Sequence, residues 1–135
     1  MLRFCYYCFE SIGDIHTAFA MQQPGKCVEF VGTSVTSAGF YEFFGQFQLS
    51  PPVLASQLAS AKQSLKQNDF MYDVELNCHG CFITRYTREA VYADYYCVNN
   101  IHDASNTGEY KLWNLKTCTG TSKIVKATDA CPTMP

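Results

Sequence analysis

Apolar side chains recur at helical spacing in the stretch before residue 67. They lie four, three and four residues apart, at Leu54, Leu58, Ala61 and Leu65. That spacing puts them on one face of a helix. Ser50 precedes Pro51 and Pro52, and a serine N-cap followed by proline in the first turn is typical of a helix start. The sequence therefore predicts a helix over 51–67 that buries one stripe.

An aromatic cluster lies just before this helix. It comprises Phe40, Tyr41, Phe43, Phe44 and Phe47. The spacing of 40, 44 and 47 matches one helical face and predicts a short helix between Gly39 and Gln48. The rings either pack on the leucine stripe as core or form an exposed patch for a partner or lipid. Core packing is favoured, because large exposed apolar patches are rare on monomers.

Alternating or β-like segments flank the two helices. They cover residues 2–12, 26–31, 71–77, 82–86, 90–97 and 110–115. The segments 82–86 and 90–97 predict a hairpin, and we expect 26–31 to pair with the first strand, 2–12. The pattern predicts a single domain over 1–135, mainly β, small and disulfide-rich, with a helical insertion over 28–77. An α+β disulfide-rich secreted domain is the alternative.

Composition narrows the class of protein. The formal net charge is -2 and only 16% of the 135 residues are charged. Nucleic-acid binding needs a basic stripe, which is missing, so no nucleic-acid partner is expected. No run of about 18 apolar residues is present to span a membrane, although a lipid anchor outside this chain stays open. The aromatic share of 15% favours a recognition module.

Eight cysteines dominate the remaining chemistry. They are Cys5, Cys8, Cys27, Cys78, Cys81, Cys97, Cys118 and Cys131. An even number of cysteines in a short chain is typical of a disulfide framework, which places the protein outside the cell, secreted or at the surface. Redox catalysis is disfavoured because neither Cys-x-x-Cys motif precedes a helix. Zinc is disfavoured because about seventy residues separate the two motifs.

No enzyme motif accompanies the cysteines. His16, His79 and His102 fall in predicted loops without partner spacing, and no nucleophile elbow or phosphate-binding glycine loop is present. We therefore expect no catalytic residue, no metal and no cofactor. Scattered catalytic residues in a secreted enzyme stay an open alternative.

Three segments carry a family resemblance. They are the opening from Leu2 to Cys8, the segment from Cys78 to Thr84 with a hairpin closing at Cys97, and the ending Ala127-Thr128-Asp129-Ala130-Cys131. Together these segments resemble the lymphocyte-antigen/urokinase-receptor family of three-finger domains. The resemblance implies the bridges Cys5–Cys81, Cys8–Cys27, Cys78–Cys97 and Cys118–Cys131. The chain departs from the family by lacking its paired Cys-Cys near the end and by the size of residues 28–77, which would be an enlarged first finger.

The resemblance implies a non-catalytic module that contacts a receptor or another extracellular protein. Arg85, Tyr86 and Arg88 lie near the predicted hairpin tip, and arginine with tyrosine is over-represented at interface hot spots. These residues are the expected partner-binding set, although an ordinary solvated hairpin has the same composition. The alternative function is a secreted carrier of a small apolar ligand or lipid. Its cavity would be lined by Phe40, Phe43, Phe44 and Phe47.

Overall fold

Strands and helices form three layers in the computed structural model, which describes residues 18–23, 27–35, 38–103, 105 and 108–131. In chain order the described elements are β1 (Ala18–Gln23), β2 (Cys27–Val31), α1 (Phe40–Gly45), α2 (Pro51–Lys66), β3 (Met71–Glu75), β4 (Gly80–Tyr86), β5 (Ala90–Val98), β6 (Glu109–Cys118) and β7 (Ile124–Lys126). The helices cover a three-stranded sheet, which packs in turn on a four-stranded sheet. The expectation of a mainly β, disulfide-rich domain is confirmed.

Both sheets are antiparallel. The three-stranded sheet has the order β2-β1-β3, and the four-stranded sheet is the meander β4-β5-β6-β7. The predicted hairpin is confirmed, with Gly80 opposite Cys97 at its open end and Tyr86 opposite Val91 near its turn. The strand predicted at 26–31 is also confirmed as β2. It pairs with β1, a strand that the pattern did not predict, while residues 2–12 lie outside the described part of the chain.

The main core lies between the two sheets. Its buried members are Ala20, Phe30, Ala93, Tyr95, Leu115 and Ile124. At its centre the ring of Tyr95 stacks on Phe82 with centroids 5.1 Å apart and meets the edge of Trp113 at 5.2 Å. Because aromatic side chains bury the largest areas, these three rings of the four-stranded sheet supply much of its side of the core.

A second core lies between α2 and the opposite side of the three-stranded sheet. Val31, Met71, Val74 and Leu76 form its buried floor. The predicted stripe covers them: Leu54 is buried, and Leu58, Ala61 and Leu65 are half-buried. The helix prediction is confirmed, with Ser50 in extended conformation before two prolines at the first turn. Burial of the stripe against strands, rather than against another helix, offsets the conformational entropy that is lost when the helix forms.

Residues 28–77 are built into the sandwich. They supply β2 and β3, the two outer strands of the three-stranded sheet, together with both helices. Phe30, inside this stretch, is only 1% exposed and packs in the same core as Ala93 and Tyr95. The segment that the sequence pattern treats as an insertion therefore contributes to the shared core through Phe30.

The disulfides agree in part with those implied by the resemblance. Cys78 is bonded to Cys97 and Cys118 to Cys131, as implied. Cys27 is also disulfide-bonded. Its implied partner Cys8, like Cys5, lies outside the described residues.

The implied bridge from Cys5 to Cys81 is corrected by the structure, in which Cys81 carries a free, exposed thiol. Strand alternation places Cys81 and Cys97 on different sides of the hairpin. Cys97 is buried and faces the core, whereas Cys81 lies opposite Tyr96 on the other face of the hairpin. In the Cys78-His79-Gly80-Cys81 motif, the first cysteine is therefore buried and the last is exposed.

Gly80 is required by the close approach of two strands in this motif. A Cβ atom built at Gly80 would lie 1.9 Å from the carbonyl oxygen of Tyr96. No real Cβ contact is that short, so any other residue would force β4 and β5 apart. The glycine lets the chain pass from the buried Cys78 to the exposed Cys81 within three residues.

Candidate binding surface

The four-stranded sheet has one face in the core and one pointing away from the other sheet, here called the outer face. Along β5, Ala93, Tyr95 and Cys97 are buried, whereas Tyr92 and Tyr96 alternate with them and are half-buried. Successive strand residues point to opposite sides, so the even-numbered residues of β5 belong to the outer face. The chemistry of this face is polar and aromatic, in contrast to the apolar inner face.

One row of the outer face joins two cations through a tyrosine. Register places Arg85 of β4 and Lys116 of β6 on either side of Tyr92. The guanidinium carbon of Arg85 lies 3.8 Å from the centre of the Tyr92 ring, and the Lys116 ammonium nitrogen lies 5.9 Å from it. Both distances are within the range of cation–π attraction. The Tyr92 ring therefore attracts two positive charges, one from each neighbouring strand.

In a neighbouring row of the outer face, the positive and negative side chains pair with each other. Asp94 accepts a hydrogen bond from the Asn114 side-chain amide and forms an ion pair with Lys111, whose nitrogen lies 3.1 Å from the carboxylate. The hydrogen bond to Asp94 raises the pKa of Lys111 above its usual value. The Lys111 nitrogen also lies 5.4 Å from the centre of the Tyr96 ring. Ile83, opposite Asp94, is 58% exposed and adds an apolar contact point.

Further cations lie in the turns at one end of this sheet. Arg88 belongs to the β4–β5 turn and Lys123 to the β6–β7 turn. The two turns are hydrogen-bonded: Thr119 donates from its hydroxyl to the carbonyl of Arg88 and from its backbone N–H to that of Glu89. Arg85 and Lys116 precede these turns, so four cations gather at this end. Glu89 is the carboxylate that accompanies them there.

The expected partner-binding set is divided between surfaces. Arg85 lies on the outer face, whereas Tyr86, the next strand residue, points to the opposite side. Tyr86 is 54% exposed and borders a cleft of about 230 Å³ between the sheets, together with Val28, Phe30 and Val91. Arg88 occupies the turn. The structure thus groups Arg85 with Tyr92 and Lys116, two residues that the sequence analysis missed.

The aromatic cluster of α1 is also divided. Phe40 packs against the core under α2, and Phe44 is half-buried against Phe40 and Phe43. Phe43 and Phe47 are 41% and 63% exposed, with ring centroids 5.8 Å apart, and Tyr41 is 39% exposed. The expectation of core packing is therefore correct for part of the cluster only. We call Tyr41, Phe43 and Phe47 the aromatic edge.

A buried pair connects α1 to the start of β4. The His79 Nε2 atom lies 3.0 Å from a Glu42 carboxylate oxygen, and the His79 side chain is only 7% exposed. Because a carboxylate only accepts, Nε2 donates the hydrogen, while the buried Nδ1 atom has no hydrogen-bond partner among the described residues. The other Glu42 oxygen accepts from the backbone N–H of Gly39 and caps α1.

The electrostatics of Glu42 follow from this arrangement. Burial on its own would raise the pKa of Glu42, but the backbone N–H groups of Glu42 and Gly39 and the His79 ring outweigh it and hold the pKa below its usual value. Sequence offered no signal for the pair, since 37 residues separate its members. The pair positions α1, and with it the aromatic edge.

Within the residues that the structure describes, no group of three or more His, Cys, Asp or Glu side chains is arranged to hold a metal ion. The described helices also include none with the length and apolar character needed to cross a bilayer. Comparisons with family models, with curated proteins and with solved structures found no match.

Proposed function

We propose that this protein is an extracellular, non-catalytic module that binds a receptor or another cell-surface protein through the outer face of its four-stranded sheet. The observation that carries the proposal is the Arg85–Tyr92–Lys116 row. Arginine and tyrosine are enriched at the energetically dominant positions of protein interfaces, and a rigid sheet presents them at low entropic cost. Ile83 and Tyr96 extend the same surface with apolar area.

The extracellular setting is supported by the disulfides. The bridges Cys78–Cys97 and Cys118–Cys131 form in the structure, and such bridges persist in oxidising compartments. A divergent relationship to the three-finger family is part of the proposal. It is supported by these two bridges, which coincide with the implied pairing, and by the β4–β5 hairpin that they flank.

The proposal is tested by binding measurements with two charge-matched variants. A library of extracellular domains is screened with the purified protein, and affinities for each binder are measured by surface plasmon resonance. Arg85→Gln is expected to weaken binding about tenfold or more, because truncating an interface arginine commonly costs over 1 kcal/mol. Lys66→Gln removes the same charge from α2, where Lys66 pairs with Asp73, and is expected to change nothing. Equal affinities for both variants and the unsubstituted protein would exclude the outer face as the binding surface.

A second function, a carrier of a small apolar ligand or lipid, is favoured by the aromatic edge. Exposed Phe43 and Phe47 form a contiguous apolar surface of the kind that contacts partners or lipids. Native mass spectrometry of freshly purified protein separates the two functions. Co-purified lipid that is lost in a Phe43→Ser/Phe47→Ser variant supports the carrier, and a lipid-free mass supports the binding module.

A further inference from the structure

Arg85 differs from several other cations of the chain in lacking an acidic partner. The structure pairs Lys62 with Glu75 at 3.0 Å, Lys66 with Asp73 at 3.3 Å and Lys111 with Asp94 at 3.1 Å. Within the described residues, Arg85 and Lys116 have no carboxylate in ion-pair range and contact the Tyr92 ring instead. Arg85 is exposed, so its charge is still available to a ligand, whereas Lys116 is buried.

The contact with Tyr92 also fixes how Arg85 is presented. At 3.8 Å from the ring centre, the guanidinium lies against the face of Tyr92. The N–H donors of a guanidinium lie in its plane, so stacking occupies one face and leaves the donor edges available. That fork matches a carboxylate in two parallel hydrogen bonds. Tyr92 acts as a positioning residue that holds the fork ready.

The surrounding charge favours the same class of ligand. Lys116 is only 7% exposed, so it adds positive potential beneath this face without being a contact point for a ligand. Arg88 and Lys123 lie in the hydrogen-bonded turns at this end of the sheet. Among the described residues, four cations and one carboxylate lie there, although the whole chain has a net charge of -2. The end of the sheet is thus positive on an otherwise acidic molecule.

We infer that the outer face recognises an acidic segment of its protein partner, with Arg85 taking one carboxylate in its guanidinium fork. The inference rests on the proposed function, which supplies a protein as partner. The buried Lys116 charge adds to the attraction of this face for the acidic segment without contacting it.

A peptide fits this surface better than a sulfated polysaccharide. The stacked guanidinium provides a single planar site, and Ile83 and Tyr96 beside it provide contacts for apolar side chains. A polysaccharide would use a longer row of cations, whereas the next row contains Asp94 paired to Lys111. The chemistry thus favours carboxylates carried on a polypeptide.

The inference is tested with three probes: a short peptide with glutamate at alternate positions, its twin with glutamine there, and a heparin-derived oligosaccharide. Binding is followed by calorimetry and by the NMR signal of the Arg85 side-chain Nε–H. We expect the glutamate peptide alone to shift that signal, with affinity falling as salt is added. Arg85→Lys and Tyr92→Ala should each weaken binding about tenfold or more, while Tyr92→Phe keeps the ring and the affinity. Lys66→Gln serves as the control.

Equal binding of the glutamate and glutamine peptides would overturn the inference, as would an unchanged affinity in Arg85→Lys. Binding of the oligosaccharide without the glutamate peptide would overturn it in favour of a polysaccharide site. The proposed function fails separately. If Arg85→Gln weakens binding of the protein partner but the glutamate peptide does not bind, the outer face remains the proposed binding surface and the inference of an acidic ligand is wrong. If Arg85→Gln leaves the affinity for the partner unchanged, both the proposed function and the inference are wrong.

Discussion

Tyr95 connects the two sheets, and its hydroxyl group allows that connection to be measured. The side chain is 2% exposed, and its oxygen is hydrogen-bonded to the backbone of Val31 in the facing sheet. Tyr95→Phe keeps the ring contacts with Phe82 and Trp113 and removes the hydroxyl group that makes this bond. A buried group left without its partner costs about 1 to 3 kcal/mol of the free energy of unfolding. For a domain of this length, that lowers Tm by about 4 °C for each kcal/mol.

The assay is urea unfolding with the disulfides intact, followed by the fluorescence of Trp113, the single tryptophan of the chain. Trp113 packs against the core between the sheets and so reports their separation. Tyr110→Phe is the matched control, because Tyr110 is 47% exposed and its substitution should stay within about 0.5 kcal/mol. A Tyr95→Phe variant as stable as that control would refute the role of the hydroxyl in joining the sheets.

The same residue gives a dependence on alkaline pH. Burial, and to a smaller extent the Glu29 carboxylate, raise the pKa of Tyr95 above its ordinary value, against the lowering effect of the Val31 hydrogen bond. Because the folded-state pKa is the higher one, this stabilisation is complete below the unfolded pKa of about 10 and is lost as pH rises further. We expect the stability of Tyr95→Phe to fall less between about pH 10 and 11 than that of the unsubstituted protein. An equal fall in stability of the variant and the unsubstituted protein over this pH range would contradict the burial of the Tyr95 phenol.

Two further stability predictions concern the start of β4. Replacing Cys78 and Cys97 by alanine opens a loop of 19 residues, and the chain-entropy relation predicts a loss of about 3 kcal/mol in chemical denaturation; a loss under about 1 kcal/mol would contradict it. Glu42→Gln should cost about 1 to 2 kcal/mol at neutral pH, since it removes charge-assisted hydrogen bonds to Gly39 and His79. The pKa of Glu42 is lowered in the folded protein, so this stabilisation is present above the ordinary value of 4.5 and is lost as pH falls through the folded pKa. Unfolding curves for variant and parent should therefore converge in acid, and a constant gap would count against the pair.

Sequence periodicity identified the elements that bury a regular face. The leucine stripe of α2 has a single period over its length, and the β4–β5 hairpin is rich in residues of high strand propensity, so local pattern was sufficient for both. β1 was missed because Ala18–Gln23 contains few residues of high strand propensity. It becomes a central strand because β2 and β3 pair with it on both sides, which is a property of the tertiary structure.

The candidate surface was predicted only in part, for a different reason. Consecutive strand residues face opposite ways, so the period of two already separates Arg85 from Tyr86 once both are assigned to a strand. Which side faces solvent depends on the facing sheet, and the partners Tyr92 and Lys116 depend on register across three strands. Those contacts are long-range, and a single sequence contains no local signal for them.

The central claim is that the outer face of the four-stranded sheet is the contact surface. Hydroxyl-radical footprinting of the protein, free and bound to a partner obtained from the extracellular screen, tests it most directly. We expect Ile83, Tyr92 and Tyr96 to lose reactivity on binding, while Phe43 and Phe47 stay as reactive as in the free protein. Protection of Phe43 and Phe47 with Ile83, Tyr92 and Tyr96 unchanged would contradict the claim and assign binding to the aromatic edge.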